Sequence, residues 1–174
     1  APCQQPAAAQ RLPSLAIGSA APDFSLPGID GKTHRLRDYA GKPVLAVLFT
    51  CVHCPTAQLY EGRVQRLYDD YRNKGVGFVA INPNDPAVET HAELAYTDVG
   101  DDPEGMQARA EHRRIGYPFL FDGQTQAASH QYGPVATPHI FIFGKDRKLQ
   151  YEGRLDDSQS QSLERGTRGA PGPR

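Results

Sequence analysis

Val44-Leu45-Ala46-Val47-Leu48-Phe49-Thr50-Cys51-Val52-His53-Cys54-Pro55 runs from an unbroken apolar segment straight into two cysteines separated by two residues. Such a continuous apolar run suits a strand covered on both faces by helices, because a strand with one wet face would alternate. That strand delivers its carboxyl end to Cys51. Beyond the cysteines Tyr60, Val64, Leu67, Tyr68 and Tyr71 recur at helical spacing, while Glu61, Arg63, Arg66, Asp69, Asp70 and Arg72 take the other face. The spacing predicts a helix from residue 52 to about 73. Pro55 is compatible with its first turn, where the N–H groups lack helical acceptors in any case. Val76-Gly77-Phe78-Val79-Ala80-Ile81 is the next strand, and the order strand, helix, strand implies a right-handed crossover onto a parallel pair.

Moving outward, Phe24-Ser25-Leu26, the turn cluster Pro27 to Gly31 and Thr33 to Leu36 read as a small hairpin. From Asn82 to about Gly116 the pattern weakens into an inserted, mostly helical excursion. Asp85-Pro86 and Asp102-Pro103 read as helix starts within it, separated by the polar stretch Thr97 to Asp101. Tyr117 to Asp122 reads as a short strand, Thr125 to Gln131 as a short helix, and Ile140 to Phe143 as a strand whose hairpin partner is Leu149 to Glu152. The expected fold is α/β: a central mixed β-sheet flanked by helices, with an N-terminal β-hairpin and a helical insertion. Residues 19–157 form the expected domain. The Ala/Pro/Gln-rich lead 1–18 and the polar, breaker-rich tail 158–174 bury too little surface to offset ordering entropy, so both are expected to be flexible.

The 174 residues carry 19 basic and 20 acidic side chains, a net charge of −1, which leaves no global field to attract nucleic acid. No run approaches the roughly eighteen apolar residues of a membrane span. The chain opens on Ala1, which fits removal of a secretory signal, and the expected address is periplasmic or secreted. Three cysteines are too few for a disulfide scaffold, and Cys3, alone in the lead, receives no role.

Chemistry therefore turns on Cys51 and Cys54. Between a strand and a helix, Cys51 is expected at or just before the first helical turn, where unpaired N–H groups and the positive end of the helix dipole stabilise a thiolate. Two intervening residues let the second sulfur fold back over that turn, so the pair can cycle between dithiol and disulfide. The expected roles are Cys51 as nucleophile, Cys54 as the more buried, resolving sulfur, and His53 as a thiolate stabiliser. Structural zinc is disfavoured because no second C-x-x-C or H-x₃-H pair completes a tetrahedron, and no cofactor is expected.

These residues resemble the redoxin branch of the thioredoxin superfamily, the AhpC/TSA-like and TlpA/ResA-like thiol proteins. The resemblance is carried by Ala21-Pro22-Asp23-Phe24-Ser25-Leu26, Gly31-Lys32, Gly41-Lys42-Pro43-Val44, Phe49 to Pro55, Tyr132-Gly133 and Ala136-Thr137-Pro138-His139. It implies a thioredoxin-like fold in which the Thr137–Pro138 bond is cis, opposite the sulfurs, and the backbone of Thr137 meets a docking chain. Val52, Thr137 and Pro138 are the substrate-contacting positions it implies. The chain departs from the pattern at Thr50, since it has no Trp before the first cysteine. The buried carboxylate of thioredoxin would fall near Leu45, so proton transfer must use water, His53 or another group. Asn82 and Asn84 read as turn residues, with a place near the cysteines as the alternative.

Three functions fit. The expected one is a thiol–disulfide oxidoreductase acting on protein or small thiols together with a redox partner protein. A thiol peroxidase is the alternative, because Cys54-Pro55-Thr56 resembles the segment at a peroxidatic cysteine; Cys54 would then attack peroxide, with Arg113, Arg114 or Arg154 as the candidate partner arginine. A copper chaperone resembling the Sco family is the third, with Cys51, Cys54 and His139 as soft ligands.

Overall fold

The computed structural model describes residues 13–86, 100–123 and 125–155. A hairpin of β1 (Ser25–Pro27) and β2 (Thr33–Arg35) comes first and leads through a short 3-10 turn, Leu36–Tyr39, to the central strand β3 (Val44–Phe49). There follow α1 (Pro55–Tyr71), β4 (Val76–Asn82), α2 (Pro103–Arg113), β5 (Phe119–Phe121), α3 (Ala127–Tyr132), β6 (His139–Phe143) and β7 (Leu149–Gly153). The five-stranded sheet has the order β5-β4-β3-β6-β7. Its β3–β4 and β4–β5 pairs are parallel and its β3–β6 and β6–β7 pairs antiparallel, so the sheet is mixed as expected.

The two-residue period of β3 sorts the core onto two faces. Leu45, Val47 and Phe49 point to one, among Phe24, Leu26, Ala128, Tyr132 and Phe141. Ala46 and Leu48 point to the other, with Tyr60, Val64, Met106 and Tyr117. The first layer therefore holds the hairpin and α3, the second α1 and α2. Phe49, Tyr132 and Phe141 meet ring to ring at 5.4–5.7 Å between centroids. Truncating one such ring to Ala costs about 3–5 kcal/mol.

Two boundaries differ from expectation. The helix expected from 52 begins at Pro55, with Cys54 as its N-cap. Proline is favoured at the first helical position, and residues 51–53 are held outside the helix by contacts described below. The lead expected to extend to 18 meets the domain earlier: Leu15 N donates to Tyr132 O at 2.9 Å and Gly18 N to Leu149 O at 2.8 Å. Gly133 permits this approach, because at φ +65 a Cβ there would stand 2.3 Å from Pro13 O. Of the two helix starts in the insertion, Asp102-Pro103 opens α2, the Asp102 side chain capping Gly105 N at 2.7 Å. The helix expected after Asp85-Pro86, like Cys3 and the tail, lies outside the described residues.

Candidate active site

Strand register assembles the site. Phe49 pairs with Ile81 across the parallel β3–β4 ladder, so the next residues on each strand, Thr50 to Val52 and Asn82 to Asn84, emerge side by side at the carboxyl edge. Phe49 also pairs with His139 of the antiparallel β6, so Thr137-Pro138 enters the sheet at the same edge. The Thr137–Pro138 bond is cis. Ligand and catalytic groups of α/β sheets collect at this end of the strands.

The two sulfurs are placed in the reverse of the expected order. Cys51 is buried at 3% exposure, whereas Cys54 is half-buried. Because α1 starts at Pro55, it is the sulfur of Cys54 that faces the helix N–H groups. It accepts from Cys51, from the backbone of Ala57 and Thr56 and from Thr137, and these bonds outweigh burial to hold its pKa down at about 5. The proton stays on Cys51, whose pKa is raised by that same bond to Cys54, by burial and by the charge of Asp101. Thr137 Oγ1 lies 3.3 Å from Cys51 Sγ. The pair is thus one thiol donating to one thiolate, with the negative charge at the α1 N-terminus, where dipole and free amides favour it.

Behind the sulfurs is a group the sequence reading passed over. Asp101, in the polar stretch before α2, is fully buried. One carboxylate oxygen accepts from Val52 N at 2.5 Å and Asn82 Nδ2 at 3.0 Å; the other accepts from Asn84 Nδ2 at 2.6 Å and from His53 Nδ1. Hydrogen bonds from Asn84, Val52 and His53 overcome burial and lower its pKa. Asn82 and Asn84 form the expected turn, Asn84 N donating to Asn82 Oδ1 at 3.1 Å, and through Asp101 they also lie beside the cysteine loop. A signal was present: Asp102 suffices to cap α2, which left Asp101 without a local task.

Val52 is corrected as a substrate contact. Its side chain is 1% exposed in the core, its N–H is bound to Asp101 and its carbonyl accepts from Gln58 Nε2 at 2.8 Å. The His53 imidazole is paired with Asp101. His139 is buried away from a ligand role. It stacks on Phe141 at 4.5 Å, accepts from Val135 N at 3.1 Å, and turns its other nitrogen to Glu152 at 2.5 Å. Arg113 is engaged by Glu61 at 3.0 Å. Cys51, His53 and Asp101 bring donor atoms within 4.8 Å of one another. Each oxygen of Asp101 accepts at least two hydrogen bonds. Beside Thr137 opens a cleft of about 450 Å³ whose walls include Pro83, Asn84, Gln126 and Val135. Among the described residues no helix is long and apolar enough to cross a membrane.

Residues 17–152 match the AhpC/TSA family model. A relative named thiol-disulfide oxidoreductase ResA, from Geobacillus thermodenitrificans, is 28% identical over 137 residues, covering 79% of this chain and 68% of that protein. A crystal structure of an uncharacterized conserved protein from Geobacillus kaustophilus superposes with a TM-score of 0.74 at 37% identity, covering 83% of this chain and 72% of that one. The thioredoxin domain of a thiol-disulfide oxidoreductase from Bacteroides vulgatus, 18% identical and covering 88% and 96% of the two chains, shares the fold with a TM-score of 0.63. With a family match over most of its length and a C-x-x-C pair at the mouth of a thioredoxin-like sheet, the chain belongs to the AhpC/TSA family and is a thiol–disulfide oxidoreductase.

Proposed function

We propose that the protein exchanges disulfides with protein or small-thiol clients through Cys54, and that Cys51 closes the internal disulfide that releases them. The observation that carries this reading is the half-buried Cys54 sulfur, facing the amides of Thr56 and Ala57 with its pKa held at about 5. At neutral pH such a sulfur is a thiolate, the nucleophilic form. It attacks one sulfur of a client disulfide, making a mixed disulfide and expelling a thiolate. Cys51 then attacks Cys54 Sγ and frees the second client thiolate, so two electrons pass from the dithiol to the client.

Thr137 and Pro138, half-exposed beside the sulfurs and at the rim of the cleft, are the proposed docking edge. Its open, mixed walls suit an extended segment of a client protein, and a partner redox protein returns the disulfide to the dithiol. The proposed address is outside the cytoplasm, periplasmic or secreted, in keeping with a reversible disulfide in an oxidising compartment.

The experiment is glutathione-disulfide reduction by the reduced protein. Cys54→Ser is expected to abolish it, and Cys51→Ser to stop at a glutathione adduct on Cys54 seen by mass spectrometry. An adduct on Cys51 in Cys54→Ser, with none on Cys54 in Cys51→Ser, would reject the assignment. Rapid consumption of hydrogen peroxide by Cys51→Ser, leaving a sulfenate on Cys54, would replace the reading with a peroxidase.

A further inference from the structure

Between Gly133, whose N–H closes α3 on Ser129 O, and His139, where β6 begins, lies the loop that carries the docking edge. Pro134 and Pro138 have no N–H to donate. Among the described residues the backbone of 134–138 makes one hydrogen bond, from Val135 N to His139 Nδ1 at 3.1 Å. Val135 and Ala136 are exposed, and Gly133 to Thr137 form one wall of the cleft of about 450 Å³. A loop so exposed and so sparsely bonded needs a fastening if it is to meet a client in one shape.

The fastening group is polar where β6 otherwise buries Phe141 and Phe143 on the same face of the sheet. A buried imidazole is tolerated there because both ring nitrogens are bonded. Since Nδ1 accepts from Val135, the ring hydrogen is on Nε2 and is donated to Glu152 Oε2 at 2.5 Å. The same carboxylate oxygen accepts from Ser14 Oγ at 3.3 Å. Strand register makes the pairing: Phe141 opposes Glu152 across β6–β7, so the carboxylate arrives on the face that His139 shares with Phe141. Ser14 is held in turn by its neighbour, Leu15 N donating to Tyr132 O at the end of α3. The network thus joins β7, the start of β6 and the exit of α3 beneath one loop.

We propose that His139 and Glu152 are positioning residues for client docking, the imidazole fastening the loop 134–138 at Val135 and the carboxylate fixing the tautomer and ring orientation that let it do so. The proposal rests on the reading that clients dock along Thr137–Pro138. Neither residue meets the client. They hold the loop in its bound shape beforehand, so that docking does not have to order it, and their removal weakens binding while leaving the exchange between the sulfurs alone.

The test is steady-state reduction of insulin, a protein disulfide, by the full-length protein in dithiothreitol. His139→Leu, which removes both bonds, is expected to raise KM about tenfold, the upper reach of one neutral hydrogen bond, with kcat held within about twofold. His139→Asn, whose side-chain oxygen can accept where Nδ1 does, is expected to recover most of that loss. A KM unmoved by His139→Leu, a fall in kcat alone, or equal losses in the Leu and Asn variants would overturn the assignment. Should His139→Leu fail to fold, Glu152 decides. Glu152→Gln keeps an oxygen for Nε2 and is expected to hold KM, Glu152→Ala to raise it, and equal KM values for the two would refute the pair. Ala136→Trp, on the exposed crown of the loop, separates the two levels. A KM that it leaves unchanged means that clients dock elsewhere and the underlying reading fails; a KM that it raises but His139→Leu does not move rejects the fastening alone.

Discussion

Glu61 and Asp101 are both buried carboxylates, 7% and 0% exposed, kept in different company. Glu61, on α1, accepts two parallel bonds from Arg109 at 2.9 Å each and one from Arg113 at 3.0 Å. Guanidinium groups stay charged at any pH a folded protein meets, so this pairing is silent to protons and works as a strut between α1 and α2. Asp101, two residues before α2, is bonded to amides and to the His53 imidazole. Burial alone does not mark a functional carboxylate; a partner able to give up or accept a proton does. The two are also mechanically linked. Arg109 and Arg113 sit on the helix whose first turn follows Asp101, so the strut fixes the element next to this carboxylate.

The largest effect expected from this contrast is on stability. Glu61→Ala leaves two guanidiniums unpaired, Arg109 being 17% exposed, and is expected to lower the urea-unfolding free energy by about 3 kcal/mol, the low end for breaking a buried pair because Arg113 reaches solvent. The loss is expected to be the same from pH 6 to pH 8, because guanidinium groups keep their charge over that range. A loss below about 1 kcal/mol, or one that varies over that range, would mean the strut is not what separates Glu61 from Asp101.

The same contrast marks how far the sequence could be read. Elements made by short-range pattern were legible: the apolar runs of β3 and β4, the helical stripe of α1, the Asp102-Pro103 start of α2 and the hairpins all match. Thr137-Pro138 was legible only through family resemblance. The order of the two sulfurs was misjudged by one helical turn. Pro55, favoured at the first helical position, makes Cys54 the N-cap, whereas spacing alone starts the helix at Val52. Asp101 was missed for a deeper reason. Its bonds to Val52 and His53 span 49 and 48 residues, and its bonds to Asn82 and Asn84 depend on where β4 ends relative to β3. No periodicity encodes contacts of that range; only the parallel register creates them.

The next effect concerns the sulfurs. In the folded dithiol the Cys54 pKa is about 5, below the roughly 8.5 of an unfolded cysteine, so its thiolate stabilises the fold. By linkage that contribution is complete above about pH 8.5 and is lost as pH falls through about 5, while the raised pKa of Cys51 works against stability only above about 8.5. The reduced protein is therefore expected to lose stability relative to reduced Cys54→Ser on acidification from about pH 8 to 4.5, and the oxidised protein, whose Cys51 and Cys54 sulfurs are joined, to show no such loss. Urea midpoints across that range decide it. A reduced protein whose margin over Cys54→Ser is flat in pH would place the thiolate elsewhere.

The smallest effect separates the two sources of that thiolate. The Thr137 hydroxyl bonds both sulfurs, lying 3.3 Å from Cys51, and the α1 amides bond only Cys54. One neutral donor is worth about 0.5–1.5 kcal/mol, so Thr137→Val, of similar volume, is expected to raise the Cys54 pKa by at most about one unit. Ultraviolet titration of the thiolate measures this. No change would leave the Cys51 thiol and the helix amides as the causes, and a rise of two units or more would make the threonine the main one. In the second case a client that displaces the Thr137 side chain would also weaken the nucleophile it is about to meet. A rise within the predicted range keeps activation in the rigid helix, where docking cannot disturb it.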